Sequence, residues 1–202
     1  MENKTEGKPE WSNPMPAGLV ALAVACFGFF ALLTGQVDKS AMLLLGCFLL
    51  GGFVVQILVA LIDLKTGNNS GGNTFMYFSA YFMLASGIEM IFKYFNPGLD
   101  TRIDGWAWLA LFLVVVLWTP AFFKTPALMF ILVCVLDVAV ACIVVADLKL
   151  FAADVSGVFS QIAGYSLLIC GLLGVYMSAS IILNTAYGKT ILPNPKSFYK
   201  GK

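Results

Sequence analysis

The sequence predicts an all-α membrane protein with six transmembrane helices per protomer and both termini in the cytoplasm. Three observations predict it. The 202 residues are 60% hydrophobic and only 11% charged, whereas an average soluble domain is about 25% charged. The apolar residues gather into six continuous runs, each near the ~20 residues that cross ~30 Å of hydrocarbon. Lys and Arg divide unevenly between the two sides that six spans define. A chain this apolar has too little polar surface to cover a soluble core, so lipid is the solvent for most of its outside. Strands are not expected, because barrel strands alternate over about 10 residues rather than running apolar throughout.

The spans follow in order. The first runs from Ala17 to Leu33 and opens on Asn13-Pro14-Met15-Pro16-Ala17-Gly18-Leu19. Its prolines stiffen the approach, and Pro16 suits a first helical turn. Asn13 is placed to accept from exposed N–H groups there. A helix start also presents free donors and a positive dipole end that suit a carboxylate; a rigid helix start is the structural alternative. Thr34-Gly35 and Asp38-Lys39 then lead to the second span, Ala41 to Ile62. Thr66 to Asn73 reads as a flexible polar loop. The third span runs from Thr74 to Phe92 and breaks at Asn96-Pro97-Gly98. The fourth is Trp106 to Phe123, and the fifth is Pro126 to Ala146. Between them Lys124-Thr125-Pro126 reads as a tight turn, with Thr125 as cap and Pro126 in the first helical position. The sixth span, Val158 to Ala186, is long enough to tilt or to project beyond the bilayer.

Residues 1–12 form a polar tail without the apolar core of a cleavable signal. Residues 13–188 form the transmembrane domain and 189–202 a cytoplasmic tail. The side carrying the termini holds eight of the Lys and Arg residues, the other four: Lys39, Lys93, Arg102 and Lys149. The richer side is cytoplasmic by the positive-inside rule.

Composition excludes several function classes. A net charge of +1 gives no basic field for nucleic acid. The absence of histidine removes the commonest metal ligand and general base. Cys26, Cys47, Cys134, Cys142 and Cys170 lie singly in apolar runs and read as small buried hydrophobes. No metal and no cofactor is expected, and general acid–base catalysis lacks partners.

Asp137 stands out, in the middle of the fifth span. A carboxylate at that depth costs at least about 2.5 kcal/mol and must face protein or water rather than lipid. It reads either as a proton carrier or pathway-lining group, protonated while an anion passes, or as a neutral acid hydrogen-bonding across helices. Glu89 and Lys93 stand at the i, i+4 spacing of a helix-surface ion pair. Gln56 and Asn184 either bridge helices or touch a solute. The glycines of the second and sixth spans, Gly174 among them, suit close helix packing or a narrow pathway.

Asn13-Pro14-Met15-Pro16-Ala17-Gly18-Leu19 resembles the Asn-Pro-x-Pro-x-Gly-Leu signature of the acetate uptake transporter family, which includes the succinate–acetate permeases. Gly51-Gly52 with Gln56, and Lys65-Thr66-Gly67-Asn68, resemble that family's second span and its exit. Ala163-Gly164-Tyr165, Ile169-Cys170-Gly171, Tyr176, Leu183-Asn184 and Gly188 to Pro193 resemble its C-terminal pattern. The resemblance implies a pathway through each protomer's own bundle, assembly as a homohexamer, and passage of acetate and related short carboxylates such as succinate across the plasma membrane, by a channel or proton-coupled route. It also implies a hydrophobic constriction of Phe, Tyr and Leu. The Leu falls on Leu136. The Tyr falls on Tyr81 or, because the preceding loop carries an insertion, two residues on at Met83. The Phe position holds Leu22, a departure that implies either a wider neck or help from another aromatic such as Phe27. Such a neck dewets when empty and blocks leakage. The rival readings are a carrier of another small solute such as ammonium, a membrane-embedded enzyme, or a non-transport scaffold.

Overall fold

The computed structural model describes residues 11–200. The calls on residues 1–10 and 201–202 lie outside the described residues. Seven α-helices and one π-helical segment build six membrane-length rods. They are α1 (Met15–Leu33), α2 (Ala41–Lys65), α3 (Asn69–Tyr77), a π-helix (Phe78–Ala85), α4 (Ser86–Phe95), α5 (Arg102–Phe122), α6 (Ala127–Asp147) and α7 (Ala153–Tyr187). The third rod is continuous from Asn69 to Phe95, and all six are long and apolar enough to cross a membrane.

The helices run a few residues beyond several expected ends, as at Lys65, Phe95, Arg102 and Ala153, and three further local features differ from the sequence reading for a chemical reason. The stretch expected as a loop is mostly helix. Asn68 caps α3 by accepting from Gly71 N–H at 3.1 Å, and its amide donates to the buried Asp63 carboxylate at 3.0 Å. Pro126, not Thr125, stands at the cap position of α6 without a side-chain bond. Thr125 instead donates its hydroxyl to Phe122 O at 2.7 Å, closing the end of α5. The π-helix replaces a simple third span. Ser86 Oγ donates to Tyr81 O, five residues back, at 3.0 Å, and Ser79 Oγ donates to Met76 O at 2.7 Å. These hydroxyls occupy carbonyls that the wider π turn leaves less well served.

Helix α1 packs on α2 and α7, α6 packs on α5 and α7, and the third rod packs on α2 and touches α5, so the six rods form a ring. Close approach rests on small residues. A Cβ on Gly18 would stand 2.7 Å from the Phe75 ring, and one on Gly46 would stand 2.7 Å from the carbonyl of Gly87. Lipid supplies no hydrophobic drive between helices, so backbone proximity and cross-helix bonds carry the assembly. Two such bonds hold α1: Ser178 Oγ donates to Pro16 O at 3.1 Å, and Gln56 reaches Gly18 O at 3.5 Å.

The segment after α7 folds back onto the bundle as a strap. Asn184 clasps it: its Oδ1 accepts from the N–H groups of Ile191 and Leu192, and its Nδ2 donates to Leu192 O at 2.8 Å. Ala127 N–H donates to Pro195 O at 3.1 Å, and Ser197 Oγ to Phe123 O at 2.7 Å. Asn184 is therefore a clasp for the chain end and does not line either cavity of the bundle. Gly174 likewise does not line a cavity. A Cβ there would stand 3.1 Å from the carbonyl of Leu19, so it serves the α1–α7 contact.

Candidate functional site

Two cavities lie in the bundle. The first, of about 300 Å³, opens near the ends that carry the chain termini. Its wall is apolar: Leu19 and Leu22 from α1, Phe75 and Phe78 from the third rod, Leu132, Val133 and Leu136 from α6, and Met177 from α7. Polar groups stand among them: Asn13, Gln56, Asn68, Thr74, Thr125 and Asn194. Gln56 Oε1, Thr74 Oγ1 and Asn194 Oδ1 are buried without a hydrogen-bond partner. Orphaned buried polar atoms are costly and call for a polar partner. The Thr74 hydroxyl and the Gln56 and Asn194 amides each also carry N–H or O–H donors.

The second cavity, of about 110 Å³, lies toward the opposite end and uses the same helices farther along. It is lined by Phe29 and Leu32 of α1, Phe82 of the π-helix, Lys93 of α4, Trp108 of α5, Asp147 of α6 and Ala163 of α7, among others. From Leu22 to Phe29, and from Leu136 to Ile143, the helices rise about 10 Å. The two cavities are thus stacked along the bundle, with a dry layer between them. Cys26, Ala139, Leu167 and Cys170 fill that layer and are fully buried. Phe82 closes it from the third rod, 5.2 Å from the Phe29 ring and 5.6 Å from the Phe78 ring between centroids.

The sequence-derived residues separate on this frame. Leu22 and Leu136 both stand on the first cavity's wall, next to the dry layer. Gln56 stands there too. Tyr81 does not: it is 53% exposed, on the outside of the π-helix. The inward positions of that stretch are Phe78, Phe82 and Met83, because the π turn changes the phase at which side chains meet the bundle. Phe78 rather than Tyr81 contributes the third rod's aromatic ring to the cavity, and Met83 is buried against Gly52 instead.

The N-terminal motif sits at the cavity mouth, but its donors are not free. Met15 N–H donates to Asn13 Oδ1 at 3.0 Å, Pro16 has none, and Ala17 N–H donates to Pro14 O at 3.1 Å. Asn13 and Leu19 line the cavity; Pro14 caps and Gly18 packs.

Asp137 is not on the pathway wall. One position on from Leu136, it is turned about 100° around α6 and meets α5. Thr119 Oγ1 stands 2.7 Å from Asp137 Oδ2 and 2.9 Å from Val115 O. Asp137 Oδ1 is buried and has no partner. The pathway-lining reading is therefore corrected: this carboxyl belongs to the α5–α6 seam. Glu89 and Lys93 are more than a surface pair. Lys93 Nζ stands 3.2 Å from Glu89 Oε2 and also pairs with the buried Asp104 of α5. Phe78, Thr74, Asn194 and the Asp104 partner of Lys93 were not marked by the sequence reading. Nothing in helices apolar on every side signals which stripe faces inward.

Neither a family model nor a curated protein matches the sequence. Among solved structures the bundle matches that of the bacterial acetate channel SatP, with a TM-score of 0.79 over 91% of this chain and 99% of that one. This chain has the SatP fold. At 19% identity the likeness is one of fold, and it places the two stacked cavities within a bundle architecture that a channel also uses. Among the described residues no group of His, Cys, Asp and Glu is arranged to hold a metal ion.

Proposed function

We propose that this protein passes acetate and related short carboxylates, such as succinate, across the plasma membrane through the bundle of each protomer, and that the protomers assemble as a hexamer. The observation that carries the reading is the first cavity: an apolar chamber of about 300 Å³ with the donor-bearing side chains of Gln56, Thr74 and Asn194 in its lining, in a fold shared with an acetate channel. A small carboxylate matches both features. Its methyl end tolerates Leu19, Leu22, Phe78 and Leu136, and its oxygens accept from amide and hydroxyl donors. The dry layer beyond Leu22 and Leu136 acts as the gate, because an apolar constriction excludes water until a solute fills it.

Uptake of labelled acetate into proteoliposomes, with and without an inward proton gradient, tests the proposal. Flux above protein-free liposomes that follows the acetate gradient and voltage supports a channel. Flux that rises further with the proton gradient supports coupling. No flux above the protein-free control overturns the assignment.

A further inference from the structure

We propose that Lys93 is the docking cation for the carboxylate at the mouth opposite the termini, with Glu89 acting as a displaceable internal stand-in for the substrate. The inference rests on the transport reading above and names a recognition residue for it. Among the described residues Lys93 is the sole cationic side chain lining either cavity. It comes from α4 and lies beside aromatic and aliphatic side chains, Phe82, Met90 and Trp108, in the wall of the far cavity.

Its two carboxylate partners are unequal. Asp104 on α5 is 8% exposed at its side chain and pairs with Lys93 across the helix boundary. Glu89 on α4 is 40% exposed at its side chain and stands 3.2 Å from Lys93 Nζ. Asp104 is thus the fixed anchor, which holds the ammonium at the cavity wall. Glu89 is the mobile partner, because an exposed ion pair is weak and its side chain swings into solvent at little cost. An arriving carboxylate that replaces Glu89 exchanges one oxygen acceptor for another of the same charge. The Lys93 charge stays compensated throughout, so its desolvation is never exposed.

The surrounding charge gives the device a purpose. Asp147 of α6 also lines this cavity, so with Glu89, Asp104 and Asp147 ionised three carboxylates face one ammonium. An anion entering such a mouth is repelled unless it takes over a cation. Release of Glu89 supplies that cation to the arriving carboxylate.

Saturation kinetics of acetate flux in proteoliposomes test this with Glu89→Gln, Lys93→Gln and Lys93→Arg. Glu89→Gln removes the competitor and lowers KM several-fold. Lys93→Gln raises KM about tenfold with the maximal flux kept, and Lys93→Arg, which keeps the charge, raises KM less than Lys93→Gln does. A purely structural ion pair would move maximal flux or yield of folded protein, and would not shift KM in opposite directions. Unchanged KM in Glu89→Gln overturns the proposal even if Lys93→Gln fails to fold. Acetate flux in wild type with both variants unchanged overturns this inference alone. Absence of acetate flux in wild type overturns the transport reading and this inference together.

Discussion

Asp137 and Thr119 give a test in which proton counting, rather than location, decides the chemistry. The Thr119 hydroxyl has one proton and two acceptors in range, Asp137 Oδ2 at 2.7 Å and Val115 O at 2.9 Å. If Asp137 is ionised, one of those contacts lacks a proton. If Asp137 carries its own proton on Oδ2, it donates to Thr119 Oγ1, which donates onward to Val115 O, and both bonds form. The second arrangement also avoids an unpaired charge at membrane depth, worth at least about 2.5 kcal/mol. Asp137→Asn then keeps the network, because an amide N–H replaces the acid O–H. It should alter stability by less than about 0.5 kcal/mol. Thr119→Val removes the partner and leaves the acid unsatisfied. Membrane hydrogen bonds average about 0.6 kcal/mol and reach about 1.7, so a loss of about 1 kcal/mol is expected. For a chain of this size that is a fall of about 2–4 °C in Tm. Thermal unfolding of the detergent-purified variants checks the order. Asp137→Asn falling below Thr119→Val in Tm would refute the neutral acid and require an ionised carboxylate that an amide does not mimic. Acetate flux completes the test. A tie off the cavity wall predicts the same pH profile for Asp137→Asn and wild type, whereas loss of proton dependence in that variant would restore the proton-carrier reading.

Further substitutions probe the neck, the packing and the strap. Leu22→Phe projects extra ring volume into the first cavity, so it should lower acetate flux several-fold while costing less than the ~1–3 kcal/mol of overpacking a closed core; proteoliposome flux and Tm measured side by side check both. Gly18→Val puts a branched side chain where a lone Cβ already meets the Phe75 ring at 2.7 Å, so it should destabilise the α1–α2–α3 junction by at least ~1–3 kcal/mol, seen as loss of monodisperse protein on size-exclusion chromatography. Asn184→Ala removes the clasp on Ile191 and Leu192, so limited proteolysis should cut between residues 188 and 195 several times faster than in wild type; an unchanged rate would mean that the bonds to Pro193, Pro195 and Ser197 and the aromatic contacts of Phe198 hold the strap without Asn184.

The sequence by itself determined the number of spans and the approximate place of each. Those follow from the continuous apolar runs and from punctuation such as Asn96-Pro97-Gly98, which no neighbouring helix overrides. It also marked Gly18, Gln56, Leu22 and Leu136 as worth attention, through motif and resemblance. What it did not determine is which side of each helix looks inward. In water a helix declares its buried face by amphipathic periodicity. In lipid the outer face is as apolar as the inner one, and α1, α2, α6 and α7 carry hydrophobic residues all round. Tyr81 and Asp137 show the consequence. Each stands next to, or a few residues from, a side chain that lines a cavity, yet the π-helix turns one outward and a single step around α6 turns the other toward α5. Lys93 shows the converse: its i, i+4 partner was legible in the chain, but Asp104 and the second cavity come from another helix. Only the tertiary packing brings those groups to one mouth, because the contact spans segments that the chain order keeps apart.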